Sequence, residues 1–150
     1  MRSLFIIALV LPLVFGAKFF IPNIKANWHK AHEFCHSLGM TILTVETRAK
    51  HEEVINFVKE SDDKLSNLTR YWIGASDLAE DRSFTWVTNG RMLTFNNWAR
   101  GEPNGIDGKE ACVEMLYQKH AKYTWGWNDN KCSFNTFFIC EEKASCISPF

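Results

Sequence analysis

The stretch GEPNGIDGKEAC, residues 101–112, sets Glu102, Asp107 and Glu110 beside Asn104 in a segment broken by Gly101, Gly105 and Gly108. Like charges this close repel, and each glycine adds chain entropy that folding must remove. Such a cluster becomes favourable when a cation enters it. Carboxylate and amide oxygens favour a hard ion, and several protein ligands favour Ca²⁺ over the more rigidly hydrated Mg²⁺. A second polar group follows in WGWNDNKC, which supplies Asn128 and Asp129.

The elements that must position these groups are readable from local pattern. Residues 18–21 are short, mostly apolar and stopped by Pro22, which reads as an edge strand. Asn27 can cap a helix in which Trp28, Ala31, Cys35 and Leu38 recur at helical spacing, and Gly39 ends it. A second helix is expected over residues 48–60, with Val54, Ile55 and Val58 facing inward. From Tyr71 onward short apolar pieces alternate with turn signals: YWIGASD, SFTWVTNGRMLTF, ACVEMLY, YTWGWND and FNTFFICEE. Asn89-Gly90 between FTWV and MLTF is a hairpin signal. Two helices followed by short antiparallel strands imply an α+β domain.

The chain begins as a secretory signal does. Met1 and Arg2 precede an apolar run over residues 4–15, followed by Gly16 and Ala17. A membrane anchor needs ~20 apolar residues, and this run is shorter and contains Pro12. Residues 1–17 are therefore expected to be removed, leaving a secreted chain without a membrane span. About 133 residues remain, which fits one domain over 18–142 and a tail over 143–150. Lys and Arg (17) balance Asp and Glu (17), so the basic excess that a nucleic-acid partner requires is missing. Cys35, Cys112, Cys132, Cys140 and Cys146 make an odd number, expected in a secreted chain as two disulfides and one remaining thiol. Asn67-Leu68-Thr69 is a glycosylation sequon. His29, His32 and His36 share a helix flank and read as solvated side chains, not zinc ligands.

In order and spacing, WIGASD, NNW, GEPNG, EACVEM, WNDNKC and FFIC resemble the C-type lectin family over residues 18–142. The resemblance implies a C-type lectin-like fold, two helices packed on short antiparallel sheets with a long loop region that binds calcium and sugar. It also implies one principal Ca²⁺ site made by Glu102, Asn104, Glu110, Asn128 and Asp129, with a cis bond before Pro103. The family pairs Cys35 with Cys140 and Cys112 with Cys132; the second bridge would hold both polar groups near one point and stabilise by roughly 3 kcal/mol. Asp77 and Asp81 match two ligands of the family's second calcium, but Gly105 and Ala111 occupy its other positions and Asp107 is out of register, so one calcium is expected.

Mixing acid and amide has a chemical purpose. A sugar hydroxyl can give one lone pair to Ca²⁺, accept an N–H with the other and donate its own proton. Asn donates, whereas an ionised Glu only accepts. Glu102 with Asn104 would serve one hydroxyl, and Glu110 with Asn128 its neighbour. The EPN order resembles the type that takes mannose, glucose, N-acetylglucosamine or fucose. The galactose type carries QPD and an aromatic in the following loop, and none occurs in GIDGKE.

A galactose-binding lectin of the same fold is the alternative, as is a protein-binding or reproductive-fluid relative. A glycosidase using Glu102 and Glu110 is disfavoured, because a shared cation would hold both ionised where one raised pKa is needed. The expected partners are glycans on cell or microbial surfaces, as in secreted insect-type lectins that agglutinate or encapsulate. Cys146, left over by the family's pairing, is placed to form a disulfide-linked homodimer. Trp72, Trp86, Trp98, Trp125 and Trp127 read as core, Trp127 least securely because it adjoins Asn128.

Overall fold

The computed structural model describes residues 18–61, 65–120 and 124–143. Residues 1–17, expected to be a signal segment, and Cys146 lie outside the described residues.

β1 (Phe19–Phe20) is two residues long and leads to α1 (Trp28–Ser37). Asn27 caps α1, its side-chain oxygen accepting the N–H of Lys30 at 2.9 Å, and Trp28, Ala31 and Cys35 are its buried stripe. Leu38 departs from the expected stripe. It occupies the C-cap, where the helical repeat has ended, and is 49% exposed. β2 (Thr41–Ile42) and α2 (Arg48–Ser61) follow, and α2 buries His51, Val54 and Val58, while Ile55 is only half-buried. On the flank of α1, His29 and His36 are exposed as expected, whereas His32 is half-buried and stacked on Trp28.

β3 (Leu68–Ser76) is the longest strand, followed by β4 (Thr85–Trp86), β5 (Cys112–Gln118), β6 (Trp125–Asn130), β7 (Phe137–Phe138) and β8 (Cys140–Glu141). The Asn89-Gly90 turn forms, but its hairpin is reduced to β4 and a single bridge from Thr85 to Met92. A small sheet runs β1-β8-β2, and β1 is an edge strand. The larger sheet runs β4-β3-β5-β6, with β7 added parallel to β3 at Tyr71 and Trp72. This parallel pairing was not expected from the sequence.

The larger sheet is covered on both faces, because alternate residues of each strand point opposite ways. Tyr71, Ile73 and Ala75 of β3, Val113 and Met115 of β5 and Trp127 of β6 join Val54 and Val58 of α2 in one cluster. Trp72 and Cys112 join Trp28, Ala31 and Cys35 of α1 in the other. Disulfides tie this frame: Cys35 to Cys140 joins α1 to β8, and Cys112 to Cys132 spans the start of β5 and the exit of β6. Both pairs are those implied by the resemblance. The fold is α+β, as expected.

Candidate functional site

The loop of residues 101–110 has no strand and only one short 3-10 turn, Ile106–Gly108, so it must be held from outside. Two supports do this. Before the loop, residues 97–99 lie on β6: Trp127 donates to the Asn97 carbonyl at 2.8 Å, and Ala99 donates to that of Trp127 at 2.8 Å. Gly126 permits this approach, since a Cβ there would stand 2.9 Å from the Cβ of Ala99. After the loop, Ala111 donates to the Asn130 carbonyl at 3.2 Å and leads into β5.

Asp129 ties the loop's centre to β6. Its Oδ1 accepts the N–H of Asn104 at 3.0 Å and its Oδ2 that of Gly105 at 2.8 Å. Gly105 adopts φ +58, a left-handed conformation that glycine takes without a Cβ penalty. Ile106 donates its N–H to Asn104 Oδ1 at 3.1 Å and to Glu110 Oε2 at 3.4 Å. The Glu102–Pro103 bond is cis. Glu102 Oε2 is buried without a hydrogen-bond partner among the described residues. Burial first, then the charge of Asp129 and a hydrogen bond shared with that carboxylate, and after them the charge of Glu110, push the Glu102 carboxyl up to about 7.

Four of the five residues named from the sequence, Glu102, Asn104, Glu110 and Asp129, thus share one network. Asn128 is adjacent on β6 and makes no hydrogen bond within that network: its Nδ2 donates to Glu114 Oε1 at 2.9 Å. Glu114 is fully buried and also accepts from Arg70 Nη1 and from Asn130 Nδ2, the latter at 3.3 Å. Burial pushes its carboxyl up, while Arg70, Asn128 and Asn130 oppose the shift. Sequence reasoning passed over Arg70 and Glu114. The available signal was an acid at the centre of the apolar strand pattern ACVEMLY.

The donor set fits a hard cation. An orphaned, buried carboxylate oxygen and a pKa raised by neighbouring acids are both relieved by positive charge. Among the described residues no three His, Cys, Asp or Glu side chains form a ready-made metal centre, so the fit to a cation rests on the mixed acid and amide oxygens and on the unpartnered Glu102 Oε2. Trp127 is fully buried against Trp86, Phe95 and Trp98, so it serves the core and offers no face to a ligand. A hollow of about 180 Å³ beside the loop is lined by Asp77, Asp81, Arg82, Gly105 and Asp129 among others. Asp77 Oδ2 already accepts the N–H of Arg82 at 2.9 Å.

The fold and the loop together define a lectin-like domain, and comparison with known proteins names the family. The description "Lectin C-type domain" matches residues 24–142, and the chain belongs to the C-type lectin family. It is 48% identical over 147 residues to "C-type lectin mosGCTL-7" of Aedes aegypti, covering 97% of both chains. "Salivary C-type lectin 2" of Aedes albopictus is 36% identical, with 84% of this chain and 83% of the relative covered. Among solved structures, the C-type lectin domain of murine dendritic cell inhibitory receptor 2, determined in complex with N-glycan, is 26% identical with a TM-score of 0.68. That match covers 84% of this chain and 90% of the other. The family is carbohydrate-binding and not enzymatic, in agreement with the reading of this chain as a non-enzyme. Among the described residues no helix is long and apolar enough to cross a membrane.

Proposed function

We propose that this chain is a secreted, calcium-dependent lectin that takes mannose-type sugars from cell or microbial surfaces. The observation that carries the reading is the buried Oε2 of Glu102, without a hydrogen-bond partner among the described residues, close enough to the Asp129 and Glu110 carboxylates to feel both charges, in a loop that Asp129 ties at Asn104. Glu102, Asn104, Glu110, Asn128 and Asp129 would hold one Ca²⁺. The ion, when bound, supplies open coordination positions for two neighbouring sugar hydroxyls. The side chains then divide the remaining work, the carboxylates accepting hydrogen bonds from the hydroxyls and the Asn amides donating to the hydroxyl lone pairs. Both the EPN order and the lack of an aromatic in residues 105–109 favour mannose over galactose.

Support for secretion comes from the signal-like residues 1–17 and from relatives named as salivary lectins. Asn67 is exposed just before β3 and would carry a glycan. Cys146 would link two copies, which raises avidity on a dense glycan surface by ~10² or more. Non-reducing electrophoresis tests that link, and a monomer band for both wild type and Cys146→Ser excludes it. The lectin reading itself is tested on a glycan array read with calcium and again with EDTA. Mannose-terminated glycans should bind only in the first; a signal unchanged by EDTA contradicts the reading.

A further inference from the structure

We propose that Glu114 is a positioning residue for the loop site, turning the Asn128 amide so that Nδ2 faces the sheet and Oδ1 is left for the cation. This deepens the calcium and sugar site proposed above and rests on it. The two arms of an Asn amide have nearly the same shape, so hydrogen bonding decides which arm points where. A carboxylate has no donor and therefore accepts only the Nδ2 arm, at 2.9 Å here. A flipped amide would set two acceptors against each other beside the fully buried Glu114 carboxylate.

Glu114 is well placed to impose that choice because it is itself immobilised. It sits at the middle of β5, directly opposite Trp72 of β3 and Asn128 of β6. Arg70, two residues before Trp72, reaches it diagonally from β3, and Asn130 reaches it from β6. Arg70, Asn128 and Asn130 all donate to Oε1, while Oε2 has no partner among the described residues. The acceptor strength of the group is thus concentrated on the atom that meets Asn128. One N–H of Nδ2 satisfies Glu114, and the other is left to donate to a sugar hydroxyl.

The test is a double-mutant cycle on calcium affinity, measured by calorimetry in wild type, Glu114→Gln, Asn128→Ala and the double variant. If Glu114 acts through Asn128, Glu114→Gln weakens calcium binding about tenfold, because a neutral amide accepts more weakly than a carboxylate and can turn its own NH₂ toward Asn128, so that the amide arm is no longer imposed. In the Asn128→Ala background the same change should then matter by about twofold or less. A tenfold loss in both backgrounds would mean a structural role alone and overturn the inference. Wild type that binds no calcium would instead sink the site reading on which it rests. Should Glu114→Gln fail to melt cooperatively, wild-type NMR decides: the Asn128 side-chain N–H facing Glu114 must exchange slowly with water. Exchange of both protons at the rate of an exposed amide would overturn the inference.

Discussion

Asn104 donates its backbone N–H to Asp129 Oδ1 at 3.0 Å, and Gly105 donates to the other oxygen of the same carboxylate at 2.8 Å. Loop shape and ligand chemistry therefore depend on one side chain that is 1% exposed. Replacing Asp129 by Ala leaves two N–H groups without their acceptor and removes a negative charge from the site. Both bonds are only part-buried, so each lost one costs about 1 kcal/mol. We expect faster hydrogen exchange at Asn104 and Gly105 and a loss of calcium binding, with the disulfide-tied frame still folded. Unchanged exchange at both amides would refute this account of the loop.

The Glu102 carboxyl gives the metal-free protein a pH dependence of definite sign. Its folded pKa is raised from 4.5 to about 7, so the proton is bound more tightly in the folded state. The associated stability is fully present below about 4.5 and is lost as pH rises through about 7. In EDTA the melting temperature should fall between pH 5 and pH 8, and Glu102→Gln should flatten that fall. Calcium must displace the same proton, so binding near pH 6 should release protons, seen as a buffer-dependent heat. A heat independent of the buffer's ionisation enthalpy would show that Glu102 is already ionised.

Exchanging Glu102 for Gln together with Asn104 for Asp preserves charge and reverses which group donates. Mannose binding should weaken and galactose binding gain relative to it. An unchanged ratio of the two affinities, measured by inhibition of binding to a mannose resin, would show that this pair does not read the hydroxyls.

Calcium stoichiometry should be near one. At the positions where a second ion would need oxygen, Gly105 and Ala111 offer no side-chain donor, and Arg82 lines the adjoining hollow with Asp77 and Asp81. Asp77 is also engaged by the N–H of Arg82. Two sites of similar affinity by calorimetry would require Asp107 or backbone oxygens to compensate.

What was legible in the sequence was mostly local. Asn27 as a cap, Gly39 as a stop at φ +72 and the Trp28, Ala31, Cys35 stripe each depend on a few neighbouring residues. Leu38 was misplaced because periodicity does not announce the turn at which a helix ends. The nearness of Glu102, Asn104, Glu110 and Asp129 was legible through the resemblance carried by EPN, Glu110 and WND, which gathers oxygen-bearing side chains in two short stretches. What could not be read was register. The union of Arg70, Glu114 and Asn128 requires β3, β5 and β6 to pair with Trp72 and Asn128 both opposite Glu114, and no local pattern encodes that alignment. The parallel addition of β7 to β3 is non-local in the same way.

The central claim is that the loop's oxygens bind sugar through calcium. Its most direct measurement is a calorimetric titration of methyl α-mannoside into the protein with saturating calcium, repeated in EDTA and with Glu102→Gln. Two hydroxyls read at one shallow site predict a Kd on the order of 1 mM with calcium, equivalent to about 4 kcal/mol. No binding is expected in EDTA, and a strongly weakened one for Glu102→Gln. Mannoside binding of equal strength with and without calcium would contradict the account.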